Sequence, residues 1–187
     1  MLEIHGKRDC PFAWRVRLVA REKGMPFEWI PFDAEPPDAQ AAQHNPEKKS
    51  PLLWDAGFAL TESQVIAQYL DESGGGRALL PADAQERARL RVLLATLIPK
   101  LEVAPSHAKQ REAAVKKVRQ GQLALDQALS DGRAWLGGTA PLLPDLMLWP
   151  FLALQERDGA GISPELARAS AYWQRAKDSP SLTATRP

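Results

Sequence analysis

The chain has 187 residues, 44% of them hydrophobic, which is enough for one sizeable core or two small ones. A net charge of +1 excludes the strong field that would draw it to nucleic acid or an acidic membrane surface. The single cysteine, Cys10, excludes an internal disulfide and fits a reducing compartment. In chain order, Leu2 to His5 is expected to form a short strand. Pro11 to Lys23 follows as a helix with Phe12, Val16, Val19 and Ala20 on its inner face, ended by Gly24. "PFEWIPFD" alternates bulky and polar residues and predicts a second strand. Residues 34 to 46 are poor in pattern and are expected to be loop with a short helix. "SPLLWD" and "FALTE" predict two strands around a turn at Ala56-Gly57. Ser63 to Glu72 predicts a helix with Val65, Ile66, Tyr69 and Leu70 facing inward.

That order, β-α-β-α-β-β-α, implies a small mixed sheet. A right-handed crossover makes its first two strands parallel, and the hairpin adds two antiparallel ones. "ESGGGRALLPAD" breaks the pattern, and beyond it only helix is expected. The expected domains are 1–73, a linker at 74–82, and an all-α domain at 83–187. Asp83 and Glu86 have capping-box spacing. Leu90, Leu93, Leu94, Leu97, Ile98 and Leu101 keep one helical face, which Pro99 is expected to kink or end. A helix over about 108–130 would bury Val115, Val118, Leu125 and Leu129. "PDLMLWPFLALQ" is apolar nearly all round and predicts a core helix containing Trp149 and Phe151. The last helix is expected over about 163–177, with Leu166, Tyr172 and Trp173.

Cys10 has two readings, a small buried hydrophobe or a nucleophile. The Cys-Pro pair at the start of a helix favours the second. Cys10 falls at the N-cap and Pro11 at the first helical position. The amides of Phe12 and Ala13 are expected to point at the sulphur, and the positive helix end favours a thiolate. Lys7 and Arg8 add positive charge. Ala13 stands where a resolving cysteine would be, so a mixed disulfide at Cys10 needs an external thiol, for which glutathione is the obvious supplier. His5, His44 and His107 lack metal-ligand spacing, so no metal is expected. No run approaches about eighteen apolar residues, and "MLEIHGKRDCPF" lacks a signal peptide's apolar stretch, so the expected location is the cytoplasm, with no membrane span.

"CPFAWRVRLVAREKGMPFEW", "NPEKKSPLLWD" and "LTESQVIAQYLDE", in this order, resemble the thioredoxin-like N-terminal domain of the glutathione transferase superfamily. The helical second half is similar to that family's C-terminal domain. Cys-Pro-Phe looks most like the cysteine-type branch, omega-like or dehydroascorbate-reductase-like. The resemblance implies glutathione as co-substrate, Cys10 as nucleophile, and a glutathione seat that includes Phe12. It implies that Pro51 is a cis-proline, that the Ser50 backbone pairs with the cysteinyl part, and that Glu62 and Ser63 hold the γ-glutamyl end. Lys49 is the candidate for the glycyl carboxylate. Taken singly, Pro51 also reads as a strand-starting proline, Glu62-Ser63 as a helix cap and Lys49 as a solvated lysine.

Trp14 is either a pocket wall or packing. Leu97, His107, Tyr172 and Trp173 are candidates to line an acceptor pocket between the domains. Arg15 and Arg17 read as a solvated helix face. Leu142 stands where the family usually has a Ser or Thr three residues before Asp145, so the reciprocal cap is expected to be lost and Pro144 to compensate. The expected activity is glutathione-dependent transfer or thiol-disulfide reduction on a small electrophilic or disulfide acceptor, in a homodimer as the resemblance implies; Trp54 and Phe58 read either as interface candidates or as core. The alternative is a non-catalytic binding or regulatory protein on the same fold. A membrane-inserting relative is disfavoured by the lack of a long apolar segment.

Overall fold

The computed structural model describes residues 1–32, 43 and 45–187, so the short helix expected within 34–46 lies largely outside the described residues. The chain divides into two compact units, Met1–Ala78 with Ala184–Pro187, and Leu79–Thr183.

The first unit holds β1 (Leu2–Gly6), α1 (Pro11–Glu22), β2 (Phe27–Pro31), β3 (Leu52–Asp55), β4 (Phe58–Leu60) and α2 (Ser63–Ser73). The sheet order is β2-β1-β3-β4. β1 and β2 are parallel, with Ile4 opposite Trp29, while β1–β3 and β3–β4 are antiparallel. This is the expected thioredoxin-like arrangement. The hairpin turns on Ala56 and Gly57, at φ 48° and 94°. Two positive φ values in succession give the twist that joins right-twisted strands. α1 is buried along nearly its whole circumference from Ala13 to Ala20. α2 packs on α1 through Ser63, Ile66, Ala67 and Leu70, spaced three, four and seven apart. Val65, expected inward, is 49% exposed, because the i, i+3, i+4 stripe runs through Ala67 instead.

Lys23 caps the end of α1 and is itself buried. Its ammonium donates to the Asp71 carboxylate at 3.0 Å, the Asp71 carbonyl at 3.2 Å and the Arg77 carbonyl at 3.0 Å. A buried cation is tolerable only with such full pairing.

The second unit is helical: α3 (Ala84–Thr96), α4 (Ile98–Leu101), a 3-10 turn (Pro105–His107), α5 (Arg111–Ala128), α6 (Leu143–Arg157) and α7 (Ala167–Ala176). A further helix, α8 (Pro180–Thr185), was not expected. Asp83 caps α3 by accepting from the Glu86 amide at 2.9 Å. The apolar face breaks at Leu97, which ends α3 and starts α4, with Pro99 in the first turn of α4. α6 is buried on nearly every side. α7 begins four residues later than expected, with Leu166 as its N-cap.

The start of α6 corrects the expected loss of its cap. The Asp145 carboxylate accepts from the amides of Leu136 (2.8 Å), Gly137 (3.0 Å) and Leu142 (2.9 Å), and from the Tyr172 hydroxyl (3.0 Å). Half of the reciprocal contact therefore survives without a Ser or Thr, because a carboxylate has enough lone pairs for several donors. The group is fully buried, and burial pushes its carboxyl up to about 6 against the pull of those four donors.

Candidate functional site

The site grows from the end of β1. Gly6 is followed by a short loop whose Lys7 carbonyl accepts the Cys10 amide at 3.2 Å, and Pro11 then opens α1. Cys10 is the N-cap, as expected, and half-buried. Its side chain makes no capping bond, however. The thiol donates instead to the Ser50 carbonyl at 3.7 Å, forty residues away. The expected pairing of sulphur with the first α1 amides is thus replaced by a long-range contact.

Ser50 ties the two loops together. Its hydroxyl accepts the Lys7 amide at 2.9 Å, and the Ser50–Pro51 peptide is cis. Gly6 allows this approach, since a Cβ there would sit 2.7 Å from Ser50 Oγ and 2.9 Å from the Ala13 Cβ. Asn45, which sequence reasoning missed, fixes the loop before Ser50. Its amide donates to the Lys49 carbonyl at 2.7 Å, and its oxygen accepts the Lys49 amide at 2.8 Å. An Asn that bonds backbone four residues on is a turn signal that the motif-led reading passed over.

Phe12, Lys49, Ser50, Pro51, Glu62 and Ser63 line one cleft of about 230 Å³. Glu62 precedes α2 at φ 67°, in the left-handed region that costs a side-chain-bearing residue free energy. Glu62 borders the cleft in this conformation, immediately before the first turn of α2. The Lys49 ammonium stands 3.3 Å from Glu47 and 3.8 Å from Glu62, all three well exposed. Ser63 is buried, and its hydroxyl accepts from Arg15 Nε at 3.0 Å and Nη2 at 2.6 Å. With its lone pairs used this way, the hydroxyl hydrogen is available to an anion in the cleft.

Arg15 and Arg17 correct the expected solvated face: they are 2% and 8% exposed. Arg15 also lies 4.8 Å over the Phe12 ring. Arg17 stacks on Trp29 at 4.4 Å. Burial pulls the Arg17 guanidinium down to about 10, with the Cys10 charge working in the opposite direction. Among the described residues, neither Nε nor Nη2 of Arg17 has a hydrogen-bond partner.

The remaining candidates do not join this cleft. Trp14 is core, its indole donating to Thr185 at 3.0 Å within the first unit. Leu97, Tyr172 and Trp173 are buried inside the second unit, where Tyr172 accepts from Trp149 and donates to Asp145. The backbone of His107 ends the 3-10 turn, and its side chain lies outside the described residues. Trp149 and Phe151 are core, as expected. Among the described residues, no group of three or more His, Cys, Asp or Glu is placed to hold a metal, and no helix is long and apolar enough to cross a membrane.

Comparison with known proteins gives the geometry its context. A family model described as "Glutathione S-transferase, N-terminal domain" matches residues 9–73. A probable glutathione S-transferase from Oryza sativa subsp. japonica is 31% identical, covering 92% of this chain and 82% of its own. Glutathione S-transferase omega-1 of Mus musculus is 26% identical over 88% of this chain and 73% of its own. The fold is shared with a glutathione S-transferase from Methylobacillus flagellatus, solved with GSH bound, at a TM-score of 0.80 and 24% identity over all of both chains.

Proposed function

The chain belongs to the glutathione transferase family, and we propose that it is a glutathione-dependent transferase or thiol-disulfide reductase with Cys10 as its nucleophile. The observation that carries this reading is the position of Cys10. It caps α1 beside a cleft lined by Lys49, Ser50, Glu62 and Ser63, and its thiol already engages the Ser50 carbonyl.

The donor set fits glutathione. The Ser63 hydroxyl and the first amides of α2 suit the γ-glutamyl carboxylate, with the Arg15 cation held directly behind Ser63. Glu62 suits the α-ammonium and Lys49 the glycyl carboxylate. When Cys10 ionises, its bond to the Ser50 carbonyl is released, and that carbonyl becomes free to accept the amide of a bound cysteinyl residue.

In the reductase direction, the Cys10 thiolate attacks the glutathione sulphur of a mixed disulfide. The sulphur–sulphur bond breaks, its electron pair leaves on the acceptor thiolate, and that thiolate takes a proton from water. Cys10 is now disulfide-bonded to glutathione. A second glutathione thiolate attacks the glutathione sulphur of this bond, producing oxidised glutathione and returning the Cys10 thiolate. One free glutathione is thus oxidised for each mixed disulfide reduced, the other half of the oxidised glutathione coming from the mixed disulfide itself. Ala13 provides no internal thiol for the second step. The acceptor is a small disulfide or electrophile, and we place the enzyme in the cytoplasm as a homodimer.

Replacement of Cys10 with Ala tests the reading. Reductase turnover on a glutathione mixed disulfide is expected to fall by at least about a hundredfold while glutathione affinity stays within about twofold. Unchanged turnover would leave a protein that binds glutathione without this chemistry. A panel of a disulfide, dehydroascorbate and an aromatic electrophile then identifies the acceptor class.

A further inference from the structure

We propose that Arg17 is the buried counter-ion of the Cys10 thiolate: a positioning residue that favours the ionised nucleophile from inside the core. The proposal rests on the reading of Cys10 as the nucleophile. Both residues belong to one helix. Arg17 lies seven residues after Cys10, two turns on and about 10 Å along the axis, so both occupy the same face. Helical side chains lean toward the N-terminus, which sends the long Arg17 side chain back toward Cys10.

The surroundings of Arg17 lead to the same place. Its guanidinium carbon lies over the Trp29 ring, 4.4 Å from the centroid. The far edge of that indole reaches Gly6, where a Cβ would stand 3.1 Å from Trp29 Cη2 and 2.7 Å from Ser50 Oγ. Ser50 in turn offers its carbonyl to the Cys10 thiol at 3.7 Å. Arg17, Trp29, Gly6, Ser50 and Cys10 form one continuous set of neighbours behind the cleft.

A buried cation without an anion is costly, and chains rarely keep one without a use. Arg17 is 8% exposed, and its Nε and Nη2 find no acceptor among the described residues. Among the described residues, the other charges near Cys10 have partners of their own or lie on exposed segments. Arg15 is bonded to Ser63, and Lys49 stands between Glu47 and Glu62. His5 on β1 is bonded to Glu3, Glu28 on β2 is exposed, and Lys7, Arg8 and Asp9 line the exposed loop. Among the described residues, Cys10 is thus the group that can give this cation an anion. The Trp29 ring attracts the guanidinium but carries no net charge, so it does not neutralise the cation.

The test reads the thiol itself, without glutathione. Wild type, Arg17→Met, Arg17→Gln and Arg17→Lys are alkylated with iodoacetamide between about pH 5 and about pH 9, and labelling of Cys10 is followed by intact mass. At about pH 6 the neutral variants are expected to react about three- to tenfold more slowly than wild type, and to converge with it near about pH 9. Arg17→Lys keeps the charge but loses the planar group over Trp29, and at about pH 6 it is expected to react faster than either neutral variant. A Lys variant as slow as the neutral ones overturns the proposal. Met and Gln differ in polarity, so if one fails to fold the other carries the measurement. A folded neutral variant that matches wild type at every pH overturns the proposal. So does uniform slowing at all pH values, which would mark an access effect. Because turnover of the Cys10→Ala variant is measured separately, failure of the nucleophile reading and failure of the counter-ion are distinguishable.

Discussion

Replacing Asp145 with Asn separates two opposing forces on one buried group. The wild-type carboxylate takes three amides and the Tyr172 hydroxyl, all donors. An Asn keeps the volume, and its oxygen can serve the donors on one side, Leu136 and Tyr172. Its NH2 then faces the amides of Gly137 and Leu142, donor against donor. Two buried N–H groups left unsatisfied cost about 2 to 4 kcal/mol together. The pH dependence has a definite sign. Burial raises the folded carboxyl to about 6, above the ordinary 3.8 that applies to the unfolded chain. The folded state therefore holds its proton longer. The contribution of that proton is complete below about pH 4 and is lost as pH rises through about 6. Between about pH 4.5 and about pH 7.5 the wild type should lose about 2 kcal/mol that Asn, which does not titrate, keeps. Urea unfolding followed by far-ultraviolet circular dichroism, run at both pH values, measures this. The stability gap between wild type and Asp145→Asn is expected to shrink by about 2 kcal/mol from the lower pH to the higher. A gap that widens instead would show that the four donors outweigh burial and would refute the reasoning.

Two further changes probe the first unit. Lys23→Met removes the buried cation beside Asp71 and is expected to cost about 3 kcal/mol, read as a lower urea midpoint. The double variant Lys23→Met, Asp71→Leu should recover much of that loss, and a double variant less stable than the single one would contradict it. Gly6→Ala places a Cβ against Ser50 Oγ and the Ala13 Cβ. Relief by moving the Ser50 loop away from Cys10 is expected to weaken glutathione binding about tenfold by titration calorimetry, and wild-type affinity would count against the role given to Ser50.

Much of the fold was legible because it is locally encoded. Alternation set the strands, Ala56-Gly57 set the hairpin, and Pro11 set the start of α1. The order of Cys10, Ser50-Pro51 and Glu62-Ser63 was also legible as a motif, and these positions border one region of the first unit. What escaped the reading depends on distance along the chain. Arg15 and Arg17 looked solvated because charge on a helix usually is, but the partner of Arg15 lies 48 residues away and the platform of Arg17 on another strand. Val65 was misassigned because Ala67, a weak apolar signal, takes the buried stripe. The cap of α6 is not visible in its local spacing, because the donors to Asp145 come from Leu136, Gly137, Leu142 and Tyr172. α8 is six residues long and carries one large apolar side chain, Leu182, too little to show a period.

The Lys23 knot at the end of α1 has a mechanical meaning for the nucleophile at its beginning. One end of the helix is fastened through Cys10 and Ser50, the other through Lys23 to Asp71 and Arg77. A helix free at its first turn would fray on its own and let the thiol wander. Fastened at both ends, and buried between them, α1 has no inexpensive partial opening. The amides of its central turns are therefore expected to exchange with solvent only when the whole first unit unfolds, which would make the placement of Cys10 as durable as the unit itself.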